Sequence, residues 1–251
     1  MAAPLRPTVP RAPSPHLPAA CWSPRTLTTV AVGLVFFGVV AFAIDLPIAA
    51  WCKTGGVPKE LLRFFNFSEI CGHSMGAATL LLTALVLDSG LAFPALGWPA
   101  IRWPTRQPTL AQERMARMIG ATACGGLVVD LVKLCVSRGR PRAIDLISHT
   151  SVLTTFGLVP ASGRPADAHS FPSGHAAVAF GLCAALAWRY PRGRWLFFGF
   201  AASAALQRVA TSAHFPSDIC FGAALGLAGA ALFLADTRLA PDPRPAPPSD
   251  T

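Results

Sequence analysis

Two stretches of the chain run uncharged for the length of a membrane helix: Thr26 to Ile44, nineteen residues, and Ile70 to Leu87, eighteen. Such runs are membrane-span candidates, because roughly 20 helical residues cross the hydrocarbon core of a bilayer. Four further apolar runs follow, the next three of them containing or abutting charge. The pattern predicts six membrane helices, at 26–45, 70–88, 115–136, 173–190, 195–213 and 216–235. Ahead of the second span, "KTGGVPKELLRFFNF" mixes Leu61, Leu62, Phe64 and Phe65 with Lys59, Glu60 and Arg63. That alternation predicts a short helix lying in the membrane interface. A polar connection over 89–113 carries Trp98 and Trp103, which suit the headgroup level. A long loop covers 137–170, and "RYPRGR" is a tight connection. The expected fold is all-α, a polytopic six-helix transmembrane bundle with short interfacial helices. The alternative is a soluble helical bundle carrying two membrane helices. The bundle is expected over 26–235. Residues 1–25 hold seven prolines and no apolar core of a signal peptide, and read as a disordered, Pro-rich basic arm. Residues 236–251 read as a disordered Pro-rich tail.

Composition strengthens this reading. Of 251 residues, 53% are hydrophobic and 13% charged, about half the charge usual for a soluble domain. A net charge of +9 would raise nucleic acid as a partner of a soluble protein; here the bias of cytoplasmic loops toward Lys and Arg explains it, and no nucleic-acid partner is expected. Six spans put both termini on one side, where twelve of the basic residues fall, against nine on the other. The count favours cytoplasmic termini. The seven cysteines show no CxxC spacing and read as small buried hydrophobes. The Ala, Arg and Pro bias is that of a GC-rich bacterial genome, so a bacterial inner membrane is expected.

The basic residues left on the outer side need their own explanation. The end of the third span, the start of the fourth and the junction of the fifth and sixth all reach that face. Three polar clusters lie there: "KLCVSRGRP" with Lys133, Arg138, Arg140 and Pro141; "FPSGH" with Ser173, Gly174 and His175; "QRVATSAHFPSD" with Arg208, His214 and Asp218. A single cation at a helix end can be a snorkelling side chain. Three clusters at one face point to a site, since ionisable groups in membrane helices are costly. Several cations without a carboxylate pair mean an anionic substrate. Lys133, Arg140 and Arg208 suit the oxygens of a phosphate. Ser173 and the amides of 173–175 open a helix and offer unpaired N–H groups; Gly174 lets the backbone approach closely. Asp218, four residues past His214, is placed to accept the Nδ1 proton and leave Nε2 as a nucleophile; otherwise it is a first-turn acid on the helix dipole. His175, with no carboxylate nearby in sequence, is free to protonate a leaving oxygen and then activate water. The scheme calls for no metal and no cofactor.

In order and spacing, K-x6-RP, PSGH and R-x5-H-x3-D resemble the motifs of the type 2 phosphatidic acid phosphatase superfamily. The resemblance covers about 118–235 and, by helix layout, the first two spans. It implies a metal-independent phosphatase acting through a phosphohistidine on His214. In that reading Asp218 orients the nucleophile, His175 is the acid, and Lys133, Arg140, Ser173 and Arg208 hold the phosphate. The family's third motif usually begins Ser-Arg; here Gln207 precedes Arg208, which implies altered surroundings for the arginine. Arg138 and Arg142, which flank the first motif, are expected either to bind a second phosphate or a lipid headgroup or to lie on a solvated face. His149 and His169 are expected to be loop residues, and His73 a buried, hydrogen-bonded residue of the second span outside the site.

The expected partners are membrane lipids and a lipid phosphate substrate met at the outer face: phosphatidic acid, phosphatidylglycerophosphate, a lipid A phosphate, or an undecaprenyl or other isoprenyl diphosphate. A non-hydrolytic anion-binding membrane protein would need only the cations, not the histidine pair. The vanadate-dependent haloperoxidases share these motifs but are soluble, against the spans seen here. The segment "LISHTSVLTTFGLV" is expected to act as a lid or an interfacial anchor.

Overall fold

Ser23 starts the first helix. Its hydroxyl accepts the Thr26 N–H at 3.2 Å, and Pro24 fills the first helical position, where its missing N–H costs nothing. The computed structural model describes residues 23–88, 110–146, 151–157 and 166–235. The predicted tail, nearly all of the predicted N-terminal arm, His149 and most of the 89–113 connection lie outside these.

The described residues are mostly helical: α1 (Pro24–Ala41), α2 (Asp45–Lys53), α3 (Lys59–Ser68), α4 (Ser74–Leu87), α5 (Leu110–Cys135), α6 (Gly174–Arg189), α7 (Arg194–Ala210) and α8 (Pro216–Phe233). A two-stranded antiparallel ladder pairs β1 (Ser137–Arg138) with β2 (Phe156–Gly157). The expected interfacial helix is α3. It continues through a 3-10 turn at Glu69–Gly72 and meets α4 at a bend of 71°. α5 starts at 110, five residues earlier than the hydropathy pattern placed it, because Gln112, Glu113 and Arg114 open it with polar residues.

Among the described residues α1, α5 and α8 are each long and apolar enough to cross a membrane; the α3–α4 pair meets the same test only when the two are taken together as one bent span. α6 and α7, at 16 and 17 residues, are shorter; 16 residues rise only about 24 Å. The outward faces carry large apolar side chains, among them Val32, Phe36, Phe37, Leu82, Leu131, Trp195 and Leu232. A contiguous apolar exterior of this kind matches lipid, not water.

Inside, α6 is the central helix, with Ala176, Ala177, Leu182, Ala184, Ala185 and Trp188 all buried. It is close to α5 and α8 because the contacts are made by small residues. A Cβ on Gly222 or Gly226 of α8 would lie 2.2 or 2.3 Å from the Ser173 or Ala177 carbonyl oxygen. Backbone contact through small residues replaces the hydrophobic drive that helix pairs lack in lipid. The same packing lowers the first turn of α8 onto the first turn of α6, which fixes the polar end of the bundle.

Candidate active site

The third motif derives its spacing from a helix stop. α7 ends with Ser212 in the left-handed region, φ 53°. Its N–H bonds to the Val209 carbonyl and the Ala213 N–H to the Arg208 carbonyl, both at 2.9 Å. These are the paired bonds of a left-handed helix cap. The His214 N–H bonds the same Arg208 carbonyl at 3.0 Å. Arg208 thus occupies the last turn of α7 while its own carbonyl tethers His214. Phe215 then caps α8, and its N–H is accepted by Asp218 at 2.8 Å, a carboxylate in the first turn reaching back to the cap.

His214 is buried, and its Nδ1 lies 2.7 Å from the carbonyl oxygen of Ser170. A carbonyl can only accept, so the proton sits on Nδ1 and Nε2 carries the lone pair. The nearest Asp218 oxygen is 3.7 Å from Nδ1. The expected direct hydrogen bond from His214 to Asp218 is therefore corrected: Ser170 accepts the proton, and Asp218 stands behind it. Asp218 accepts from the Ser170 hydroxyl, from Arg138 and from the Phe215 amide, which commits both its oxygens. Burial holds the His214 imidazole below its ordinary value near 6.5, against the opposing pull of Asp218. It stays neutral at physiological pH.

Ser173 caps α6, and its hydroxyl accepts from the Ala176 N–H at 3.4 Å. Its own N–H is spent on the Asp218 carbonyl at 3.0 Å. Of the three amides expected to face an anion, those of Gly174 and His175 remain as first-turn groups with no intrahelical acceptor. Gly174 does not serve close backbone packing. A Cβ there would lie 3.6 Å from the Lys133 ammonium nitrogen and 3.7 Å from Val129. The missing side chain keeps space open beside that ammonium.

Lys133, at the last turn of α5, lies within electrostatic reach of Asp130, Arg140 and Asp218, and Arg140, just beyond that helix, within reach of Arg142, Asp167 and Asp218. His175 lies within electrostatic reach of Lys133, Arg208 and His214. The structure thus brings all three motifs to one end of the bundle. The Nε atoms of Arg140 and Arg208 and the Nε2 of His175 are buried, with no hydrogen-bond partner among the described residues. Buried polar nitrogens left in this state match an oxygen-rich guest.

Several residues belong here that sequence reasoning placed elsewhere or passed over. Arg138 neither meets solvent nor is open to a phosphate. It is fully buried, and its guanidinium bonds Asp45, Ser217, Asp218 and Thr155. Arg142, by contrast, is exposed and pairs with Asp167 at 2.8 Å. His73 is not a buried helix residue. Its side chain is 56% exposed and meets the His175 ring edge-on, centroids 4.6 Å apart. Glu69, in the same 3-10 turn, pairs with Arg208 at 2.8 Å. Gln207, the departure from the usual Ser-Arg, is buried and bonds Asn66 at 3.0 Å and Glu69 at 3.3 Å. Ligand atoms of Glu69, His73 and His175 lie within 4.8 Å of one another, but the carboxylate is engaged by Arg208. His169, as expected, is a loop residue beside Arg138. Residues 151–157 fold back onto the first motif, with Thr155 bonding the Arg138 side chain at 3.0 Å.

Residues 114–240 match the family model of the PAP2 superfamily. The lipid A 1-phosphatase of Rhizobium etli is 37% identical over 101 residues, 40% of this chain and 40% of that protein. The lipid A 1-phosphatase of Rhizobium johnstonii is 37% identical over 101 residues, 40% of this chain and 38% of that protein. The matched stretch thus spans about two fifths of these curated relatives. No solved structure matches the chain.

Proposed function

The chain belongs to the PAP2 superfamily, and from that premise we propose that it is a membrane lipid phosphatase working through a phosphohistidine on Nε2 of His214. The observation that carries the reading is the 2.7 Å contact of His214 Nδ1 with the Ser170 carbonyl. It assigns the tautomer and leaves Nε2 with no hydrogen-bond partner among the described residues.

Lys133, Arg140, Arg208, Ser173 and the amides of Gly174 and His175 hold the phosphoryl oxygens. Nε2 of His214 forms a bond to phosphorus as the bond to the lipid oxygen breaks. His175 delivers its proton to that leaving oxygen. The phosphoimidazole carries a positive charge on its Nδ1–H side, which Asp218 at 3.7 Å balances. His175 then takes a proton from water, water oxygen bonds to phosphorus, the N–P bond breaks, and inorganic phosphate leaves. Charge stabilisation by fixed cations is the largest contribution to such a step. The chain's own residues supply every group this scheme uses, with no metal ligand required.

The substrate is a lipid with a phosphate on a sugar, as in lipid A 1-phosphate. The names of the relatives support this, and so does the polar surface of Asn66, Glu69, His73 and Gln207 next to His175. A sugar leaving group offers hydroxyls to that surface; a diacylglycerol offers almost none. The protein sits in a bacterial inner membrane with six spans over 26–235, α6 and α7 included. Both termini face the cytoplasm, and the site opens to the periplasm.

The test is phosphate release by purified protein in detergent, from glycosyl 1-phosphate lipid, phosphatidic acid and isoprenyl diphosphate in parallel. His214→Ala is expected to abolish release from all three. An acid-labile, alkali-stable phosphoenzyme is expected from wild type and not from the variant. Full activity in His214→Ala would refute the mechanism. Preference for phosphatidic acid would refute the substrate.

A further inference from the structure

Arg138 and Asp45 lie outside the roles given above, yet they are among the most completely buried groups in the molecule, each with its side chain 0% exposed. A buried pair of this kind contributes little net stability, since desolvation of the charges offsets their attraction. Its geometry leads elsewhere. The Arg138 guanidinium donates from Nη1 to Asp218 and Ser217, from Nη2 to Asp45 at 2.7 Å, and from Nε to Thr155 at 3.0 Å. It stacks over Phe215 at 3.9 Å and Phe156 at 4.5 Å. Asp45 in turn accepts both the N–H and the hydroxyl of Ser217.

All of this converges on Ser170. The Ser170 N–H is held by the Arg138 carbonyl at 2.9 Å. The Ser170 hydroxyl is held by Asp218, whose other oxygen is fixed by the Arg138 guanidinium. The Ser170 carbonyl is the group that receives the His214 Nδ1 proton. Arg138 therefore holds Ser170 from two sides, and Asp45 locks Arg138 from behind.

We infer that Arg138 and Asp45 are positioning residues for His214, forming a brace that aims its Nε2 through Ser170 and Asp218. Asp45 draws on the same guanidinium as Asp218, so the Asp218 carboxylate, 3.7 Å from Nδ1, is only partly neutralised. Its remaining charge favours the positive phosphoimidazole. Asp45 comes from α2, outside the stretch 114–240. The N-terminal part of the chain is thus a working part of the site.

The inference rests on His214 as nucleophile, and the experiment separates the two. Asp45→Asn and Arg138→Lys are assayed as full-length protein in detergent beside His214→Ala, with thermal unfolding of each. Both variants keep close to the native size. The expected result is a kcat lower by about 10- to 100-fold, the scale seen when groups orienting a ligand are lost, with KM within about twofold. The acid limb of the pH profile moves to lower pH in Asp45→Asn, because Arg138, freed from Asp45, neutralises Asp218 more fully and so disfavours imidazolium. Wild-type kcat and pH profile in folded Asp45→Asn would overturn the inference, even if unfolding shifts. So would a raised KM with unchanged kcat in Arg138→Lys, which would make Arg138 a substrate ligand. If Arg138→Lys does not fold, Asp45→Asn decides alone. If His214→Ala stays active, the nucleophile assignment fails; if it is dead and the other two are normal, only the brace fails.

Discussion

Gly222→Ala tests whether the packing of α8 on α6 sets the proposed phosphate cradle. The residue lies in the second turn of α8, facing the N-cap of α6. An added Cβ would sit 2.2 Å from the Ser173 carbonyl oxygen and 3.2 Å from the Ala176 side chain, where ordinary contact begins at 3.4 Å. The obstacle is backbone, so it cannot rotate away. The first turn of α6 has to retreat from α8 by about 1 Å, carrying Ser173, Gly174 and His175 with it, and straining the Ser173 N–H bond to Asp218. Overpacking of this kind costs about 1–3 kcal/mol, and the better helix propensity of alanine returns up to about 1 kcal/mol. The variant should therefore fold, with a lowered unfolding midpoint. Its rate should fall further than its stability implies, since a displacement of about 1 Å in a reacting array costs around 100-fold. The assay is phosphate release against thermal unfolding in the same detergent. Gly33→Ala in α1 and Gly199→Ala in α7 are the controls, because nothing lies within 4 Å of an added Cβ at either. Both should keep full activity. If folded Gly222→Ala works within about threefold of wild type, the cradle is not set by this contact and the reasoning is wrong.

Burial depresses the His214 imidazole from 6.5, so the acid limb of kcat/KM should lie below pH 6.5; a limb above that value would contradict a buried neutral nucleophile. The sign for stability is the same: a depressed pKa contributes stability that is complete above 6.5 and lost as pH falls through the folded value, and His214→Asn should flatten that loss in unfolding measurements. Ser212→Gly should raise the unfolding midpoint by a few degrees with activity unchanged, because a non-glycine residue at φ 53° carries about 1 kcal/mol of steric strain. A lower midpoint would show that the Ser212 side chain makes a compensating contact.

The longer helices were legible because hydropathy reports burial in lipid or protein, and both environments are apolar; α2, over Asp45–Lys53, was not foreseen. Nor was the start of α5, since its polar first turn carries no apolar signal. Lys133, Arg140, His175, Arg208 and His214 were legible as a group because charge at membrane helix ends is costly and cannot be accidental three times at one face. Arg138 was misread as solvent-facing or ligand-binding. Its partner Asp45 lies 93 residues away in sequence, and nothing local distinguishes a buried arginine from an exposed one. The Ser170 carbonyl was invisible for a similar reason, as a backbone group has no residue-type signature. His73 was assigned to the interior by assuming a straight span from 70 to 88. The 71° bend at the 3-10 turn turns it toward His175. The change from Ser to Gln at 207 was a usable clue, since a longer amide in a buried place needs partners, and Asn66 and Glu69 provide them.

The left-handed turn at Ser212 also bears on how this chain tolerates changes in length. Between Arg208 and His214 every residue is committed to ending α7 or returning the chain to the Arg208 carbonyl. The stretch works as a gauge block: adding or removing one residue shifts Arg208 and His214 relative to each other, with no slack to absorb it. The stretch 151–157 is tied as firmly, since Phe156 and Gly157 pair with Arg138 and Ser137 and Thr155 bonds the Arg138 side chain. A single-residue deletion at 209–213 should silence the protein while leaving its helices in place.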